Sequence, residues 1–443
     1  MAASGRGYVL GASHLILRPV TVLICTNECD NGVVVVVTFV ARRPRGHATD
    51  RSGMLASVAQ FAGHRDEVCC LHSPEVQSAA PALASGGADG SVRIWDMTAG
   101  RAARAVKLPV EGSVTAVCMG STGEAANWMY AACGTQLFGF DLRAPGILLR
   151  EPARRFTPSR DEVAHLTLHS ESGALAATDD AGEVHVHDSM GAGGVFASLV
   201  GVHSSLCSCS CFRPTRDWEL YSAGLDSLCV RWDWRRAARI DAWPLARPLD
   251  LASPAQLLNP RHAHSLSFVP DGGAMAFALG DGSVEIWEAE TGTPIAAVDA
   301  HRAACSQALF APLAQAAMLQ AARGEAGGAA HELPSAAALP LVSAGDDRQV
   351  RLWAVEGAVG HCVDVHHGMS AKRSKSSAAL EPRGSSLEND DLDDVGGDEP
   401  GFREMASTEL REKPNCVAAV TESSGRTVIC VATTGALIDV LAI

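Results

Sequence analysis

Apolar and polar residues alternate in short runs along most of this chain, and the runs recur. A stretch of small residues meets a turn rich in Asp and Gly, and an alternating strand then ends on a ring-bearing residue. Clear copies are LASGGADGSVRIWDMTAG (83–100), LYSAGLDSLCVRWDWRR (220–236), FALGDGSVEIWEAETG (277–292) and LVSAGDDRQVRLWAVEG (341–357). Weaker copies are MYAACGTQLFGFDLRA (129–144) and LAATDDAGEVHVHDSM (175–190), and TVICVATTGALIDVLAI (427–443) fits as a degenerate last one. Period two around such turns predicts β-hairpins. A further short apolar strand follows a histidine upstream of several copies, at His64, His203, His264 and His301.

The strand-ending ring positions 95, 140, 187, 232, 287 and 353 are separated by 45, 47, 45, 55 and 66 residues. The first three intervals are the length of a four-stranded propeller blade, and the longer ones require insertions. The expected fold is therefore all-β, a seven-bladed propeller of four-stranded antiparallel blades. Insertions are expected at 241–262, at the Ala-rich 311–339 and at 360–412. In the last of these, Glu388–Glu399 carries seven acids and no base, the composition of a disordered loop. The run MLASVAQFAGH (54–64) ends in Gly63-His64 ahead of the first blade. It is expected to return as the outer strand of the last blade against 427–442, which removes a sheet edge and starts the domain near residue 55.

Residues 1–54 fall outside this scheme. Asn27, Glu28, Asp30 and Asn31 interrupt their apolar stretch, and Val33–Ala41 is nine residues long, too short to span a bilayer. Arg42, Arg43 and Arg45 follow the apolar run, the reverse of a signal peptide. The segment is expected to be a disordered arm or sequence upstream of the true start, with an extra strand pair and an organelle-targeting segment as alternatives. Composition narrows the function. Lys and Arg total 36 against 50 Asp and Glu, a net charge of −14, which argues against a nucleic-acid surface. The 14 cysteines are scattered in apolar strands, as expected of reduced thiols that pack as small hydrophobes.

Several residues invite chemical roles. The fold would bring His64 to Asp89, His203 to Asp226 and His301 to Asp346, with Trp95 and Trp353 as further structural residues of their blades. Repetition across blades points to hydrogen-bonded hairpin locks rather than to a unique catalytic centre. Cys207, Cys209 and Cys211 share one face of a strand but spread over about 13 Å, so they are expected in the core rather than around zinc. No phosphate-cradling loop, protease metal pair or nucleophile elbow is present. The chain is expected to be no enzyme and to need no cofactor or metal.

Two arginines stand out. Asp141-Leu142-Arg143 and Asp233-Trp234-Arg235, the latter after Trp232, each follow an alternating strand and place a guanidinium near one rim of the ring. Such arginines anchor partner carboxylates or carbonyls; the plainer alternative is a solvated arginine satisfying its own turn.

Gly63-His64, Trp95-Asp96, Trp232-Asp233 and the turn aspartates 89, 226, 281 and 346 make the chain resemble the WD-repeat family. Segments 161–188, 203–227 and 256–268, with CFRP and QLLNP, resemble a narrower group within it. That group looks like substrate receptors of cullin-4 ubiquitin ligases, recruited through the adaptor damaged-DNA-binding protein 1 by a blade-ending Asp-x-Arg. The resemblance implies docking residues Asp141, Arg143, Trp232, Asp233 and Arg235, an unknown protein substrate, a monomer outside its complexes, and residence in cytoplasm and nucleus. Asp141-Arg143 lies where the group carries its motif. Asp233-Arg235 fits the general signature better but departs from the group's blade four, so either blade is a docking candidate. A propeller scaffold in a signalling or chromatin assembly is the alternative.

Overall fold

The computed structural model describes residues 53–74, 82–156, 159–191, 194–245, 259–311, 338–356, 401–421 and 427–442, together with two strands nearer the N-terminus. The chain divides into two compact units, Met1–Thr49 and Asp50–Ile443. In the first, Leu23–Cys25 pairs antiparallel with Val34–Val36, so part of the expected arm is the strand pair held as its alternative.

The second unit is a ring of seven antiparallel sheets. Blade one is Val68–His72, Ala82–Gly87, Ser91–Asp96 and Arg101–Lys107. Blade two is Ala116–Met119, Trp128–Cys133, Gln136–Asp141 and Arg154–Phe156. Blade three is Val163–His169, Ala174–Asp179, Val184–Asp188 and Val195–Leu199. Blade four is Cys209–Phe212, Glu219–Ala223, Leu228–Asp233 and Ala238–Pro244. Blade five is Ala263–Phe268, Ala274–Leu279, Ser283–Glu288 and Pro294–Asp299. Blade six is Cys305–Phe310, Leu339–Gly345, Gln349–Glu356 and Gly401–Glu409. Blade seven joins Pro414–Thr421, Thr427–Thr433 and Leu437–Ala442 to Ala56–Ala62, with Leu437 opposite Ala62 and Ala442 opposite Ala56. The early strand therefore closes the ring, as its position ahead of the first blade led one to expect.

Second strands such as Trp128–Cys133, Ala174–Asp179 and Ala274–Leu279 are buried at every position. Each lies between neighbouring blades, so both of its faces are covered, and it reads as a continuous apolar run rather than as alternation. Outer strands bury little: Pro294–Asp299 has no fully buried residue, and neither does Gly401–Glu409. This corrects three expected boundaries. Residues 401–409 are the outer strand of blade six rather than part of the 360–412 loop, and the remainder of that loop up to residue 400 lies outside the described residues. Residues 241–244 belong to the outer strand of blade four, and Leu339 opens a strand; the centres of both insertions lie outside the described residues. Gly53–Met54 adds a short parallel strand to blade six, just before the expected domain start.

Neighbouring inner strands are tied by side-chain-to-backbone hydrogen bonds at every junction. The Met119 amide donates to His72 Nδ1, Thr115 Oγ1 to the Val163 carbonyl, and the Ser210 amide to His165 Nδ1. Ser208 Oγ donates to the Ala263 carbonyl, the Ala308 amide to Ser265 Oγ, and the Val417 amide to Gln307 Oε1. Asn415 Nδ2 then donates to the Val68 carbonyl and returns the chain of contacts to blade one. Burial pushes His72 and His165 down to about 4, which keeps each imidazole neutral and able to accept.

The histidine–aspartate locks contain a serine. Trp95 Nε1 donates to Ser85 Oγ at 2.8 Å, and that hydroxyl meets His64 Nε2 at 2.7 Å. His64 Nδ1 faces Asp89 at 3.3 Å. Blade four repeats this with Trp232, Ser222, His203 and Asp226, and blade six with Trp353, Ser343 and His301. An ionised carboxylate only accepts, so Nδ1–H faces it; the neutral imidazole then accepts at Nε2 from the serine hydroxyl, whose oxygen accepts from the indole. Gly87 is required because a Cβ there would lie 2.5 Å from His64 Nδ1.

One partner differs from expectation: His301 meets Asp347 at 2.9 Å, not Asp346. The carboxylate comes from the second residue after the turn glycine, as Asp89 follows Gly87 and Asp226 follows Gly224. Asp346 instead pairs with Lys413 at 2.8 Å.

Two predictions follow from closure and locking. Deleting residues 1–49 should leave the thermal midpoint of the ring unchanged. Deleting 1–62, which bares the Leu437–Ala442 edge and removes Phe61 from its stack on Trp95 at 5.2 Å, should lower it sharply in calorimetry. In blade six, burial raises the Asp347 carboxyl, but bonds from His301 and the Arg302 and Gln349 amides outweigh it and hold the group at about 2. Its contribution is thus present above the unfolded value near 3.8 and is lost as pH falls through about 2. Urea midpoints of wild type and Asp347→Asn should differ at pH 7 and converge between pH 4 and 2, as read by tryptophan fluorescence.

Candidate protein-docking rim

The locks lie at the turns joining second to third strands, whereas both arginine segments lie at the opposite rim, where third strands turn into outer ones. Each strand-ending aspartate builds its own turn. Asp96 accepts from the Thr98 and Ala99 amides, Asp141 from the Arg143 amide, and Asp233 from the Arg236 amide. These are side-chain turn closures of the kind short acidic residues provide.

The two arginines are half-exposed but differ in engagement. Arg143 folds back on its own Asp141, with Nε 2.9 Å from Oδ1 and Nη2 2.8 Å from Oδ2, and reaches Glu124 at 3.5 Å. The Arg143 guanidinium holds the Asp141 carboxyl below its usual range. After Arg143 the chain crosses to blade one, where Leu148–Leu149 pairs parallel with Arg101–Lys107 and Arg104 donates to the Leu142 and Ala144 carbonyls.

Among the described residues Arg235 has one ionic contact, Asp217 at 2.6 Å, and its guanidinium lies 5.5 Å from the Trp234 ring centre. Trp234 is buried, donates to the Asp217 carbonyl, and packs against Phe196 and Phe212. Around it Phe196 is 49% exposed and Trp218 40%, with Val195 and Ile240 also exposed. The half-exposed Arg235 thus lies beside Trp234 of blade four, which packs against the exposed Phe196 of blade three, a pairing of arginine and aromatic rings enriched at protein interfaces. Trp232 requires correction. It is 3% exposed and its indole is engaged by Ser222, so it belongs to the blade-four lock and cannot touch a partner.

Beneath this rim lies a network that pattern reading missed. Arg213 pairs with Glu219 and Glu290 at 2.9 Å each, and Arg231 with the same two at 2.6 and 3.0 Å. Burial raises Glu290, but hydrogen bonds from Arg213 and Arg231 outweigh it and hold the carboxyl at about 2. Since Glu290 sits in the turn of blade five, the network fastens blades four and five at the docking rim. Its signal in sequence was an arginine, Arg231, inside an otherwise apolar strand; buried ions require partners.

The cysteine triplet behaves as core. Cys207 and Cys209 are buried and both donate to the Ala223 carbonyl, and Cys211 donates to Phe212. Burial pushes the Cys209 thiol up to about 12, which disfavours the thiolate a metal needs.

Comparison with known proteins agrees with this geometry. Residues 55–96 match the family model "WD domain, G-beta repeat", a family of interaction propellers that is typically non-catalytic. The narrower group the sequence resembles is that of WD repeat-containing protein 53. The WD repeat-containing protein 53 homolog of Dictyostelium discoideum is 25% identical over 240 residues, 51% of this chain and 63% of that protein; the match thus spans less than two thirds of the relative's length. A ring of seven four-stranded blades, closed by an early strand, locked in blades one, four and six by Trp–Ser–His–Asp chains and matched over its first blade by this repeat model, is a seven-bladed β-propeller of the WD-repeat type.

Proposed function

We propose that this scaffold is a substrate receptor of a cullin-4 ubiquitin ligase, docked on damaged-DNA-binding protein 1 through its Asp-x-Arg rim and acting in cytoplasm and nucleus. The observation that carries the reading is Arg235, half-exposed over Trp234, whose ring packs against the exposed Phe196. The family resemblance supplies the identity of the adaptor. Blade four is favoured over blade two because Arg143 is held bidentate by its own Asp141, whereas Arg235 must release only one contact from an exposed Asp217. Function would then be geometric: the ring holds a substrate on another surface and raises the local concentration of its lysines near a charged ubiquitin carrier. The second reading, a scaffold of a signalling or chromatin assembly, is favoured by the fact that both arginines already have intramolecular partners.

Titration of purified damaged-DNA-binding protein 1 with the full chain separates these readings. Arg235→Ala should weaken binding about thirtyfold, the effect of losing an anchor worth about 2 kcal/mol. Arg143→Ala should change it little, and the double variant should match Arg235→Ala. Folded wild type that does not bind would remove the ligase reading and leave the scaffold.

A further inference from the structure

Blade three has no Trp–Ser–His–Asp lock. Aligned on the strand-ending ring, Ala177 stands for the serine, His187 for the tryptophan and Ala181 for the turn aspartate. In the same hairpin three other side chains converge. Asp179 ends the second strand, and Glu183 and His185 lie on one face of the segment opening the third. His185 Nε2 is 3.2 Å from Glu183 Oε2 and 4.0 Å from Asp179 Oδ2, and all three ligand atoms lie within 4.8 Å of one another.

Asp179 supplies the independent observation. Its side chain is fully buried, Oδ1 accepts the Glu183 amide at 2.7 Å, and Oδ2 has no hydrogen-bond partner although it faces the imidazole. On the other side of the ring, His185 Nδ1 lies 3.1 Å from Ser198 Oγ on the outer strand. If Nδ1–H donates there, the Nε2 lone pair is turned toward the two carboxylates. Three acceptors facing one point require a positive centre.

We propose that Asp179, Glu183 and His185 form a zinc site that replaces the missing lock in blade three. Tetrahedral zinc with bonds near 2.05 Å separates its ligands by roughly 3.3 Å, between the two distances observed here. One imidazole with two carboxylates favours zinc over magnesium or calcium, which prefer all-oxygen sets. Ser198 orients the imidazole as an outer-shell partner. Glu183 is 25% exposed, which leaves a route for entry and a fourth position open to water or to a partner's donor atom. The ion would fasten the hairpin between second and third strands, the same hairpin that imidazole and aspartate fasten in blades one, four and six.

The competing arrangement is a protonated His185 between two carboxylates with no metal. Zinc titration of the chelator-treated full chain distinguishes the two, with metal content measured after dialysis and Co2+ as spectroscopic probe. The expected result is one zinc per chain, a raised thermal midpoint, and a cobalt spectrum free of thiolate charge-transfer bands. Glu183→Gln, at a partly exposed position, should keep the fold and weaken zinc by more than about tenfold, and so should Asp179→Asn where it folds. Absence of stoichiometric zinc, uptake unchanged in Glu183→Gln, or a thiolate band that assigns the metal to cysteines would each overturn the site.

Discussion

Everything in this molecule depends on each blade being covered by its neighbours. A sheet whose second strand is buried at every position cannot stand alone in water, so the ring must close or all its blades lose cover. Closure is made at two radii. At the outer edge, Ala56–Ala62 crosses from the start of the chain to the last sheet. At the axis, seven hydrogen-bonded junctions link one inner strand to the next, from His72 on Met119 round to Asn415 on Val68. The axial bonds use short polar side chains against backbone groups, which satisfies amides and carbonyls at the inner edge of each sheet that no strand can pair. The central wall can therefore be polar without orphaned backbone, and the outer strands are free to vary.

That freedom sets the character of the two rims. Where second strands meet third strands, hairpins are tight and fastened by Trp–Ser–His–Asp chains or, in blade five, by Arg261 held between Asp281 and Glu285, with Trp287 donating to Glu285. At the other rim the turns carry half-exposed arginines and apolar rings. A docking surface needs both properties: side chains able to exchange intramolecular partners for a partner's, and a backbone that does not move while they do so. The Arg213–Glu219–Arg231–Glu290 network provides the second beneath Arg235. Tyr221, whose hydroxyl donates to the Ala289 carbonyl at 2.8 Å, ties the same two blades again.

Legibility in sequence followed burial. Second and third strands, covered on both faces, were found with the correct order and the closing strand because apolar runs and turn aspartates announce them. Gly401–Glu409 was hidden because an outer strand buries little and this one follows an acidic tract. The lock serines were hidden for a different reason: a serine in a small-residue strand is ordinary, and only its recurrence ten residues before Trp95, Trp232 and Trp353 marks it. Asp347 rather than Asp346 meets His301 because it stands two residues after the turn glycine and six before the tryptophan, as Asp89 and Asp226 do, a register legible only when the copies are aligned residue by residue. Trp232 failed as a docking residue because a motif names residue types and burial decides which of them can be reached.

Degeneracy among the repeats then carries information that the consensus does not. A blade that keeps its lock pairs its turn carboxylate with the lock histidine. A blade that has lost the lock must satisfy the same turn by other means, and the replacements are visible as charged or titratable residues around that hairpin. Blade five places Arg261 and Glu285 there and neutralises them against each other. Blade three places Asp179, Glu183 and His185 there with one carboxylate oxygen unmatched. The first sets a permanent cation between two carboxylates, Asp281 and Glu285; the second sets two carboxylates beside a histidine and no permanent cation. In a ring built from copies of one device, a further binding site is best sought at the copy whose carboxylates have no permanent cation against them.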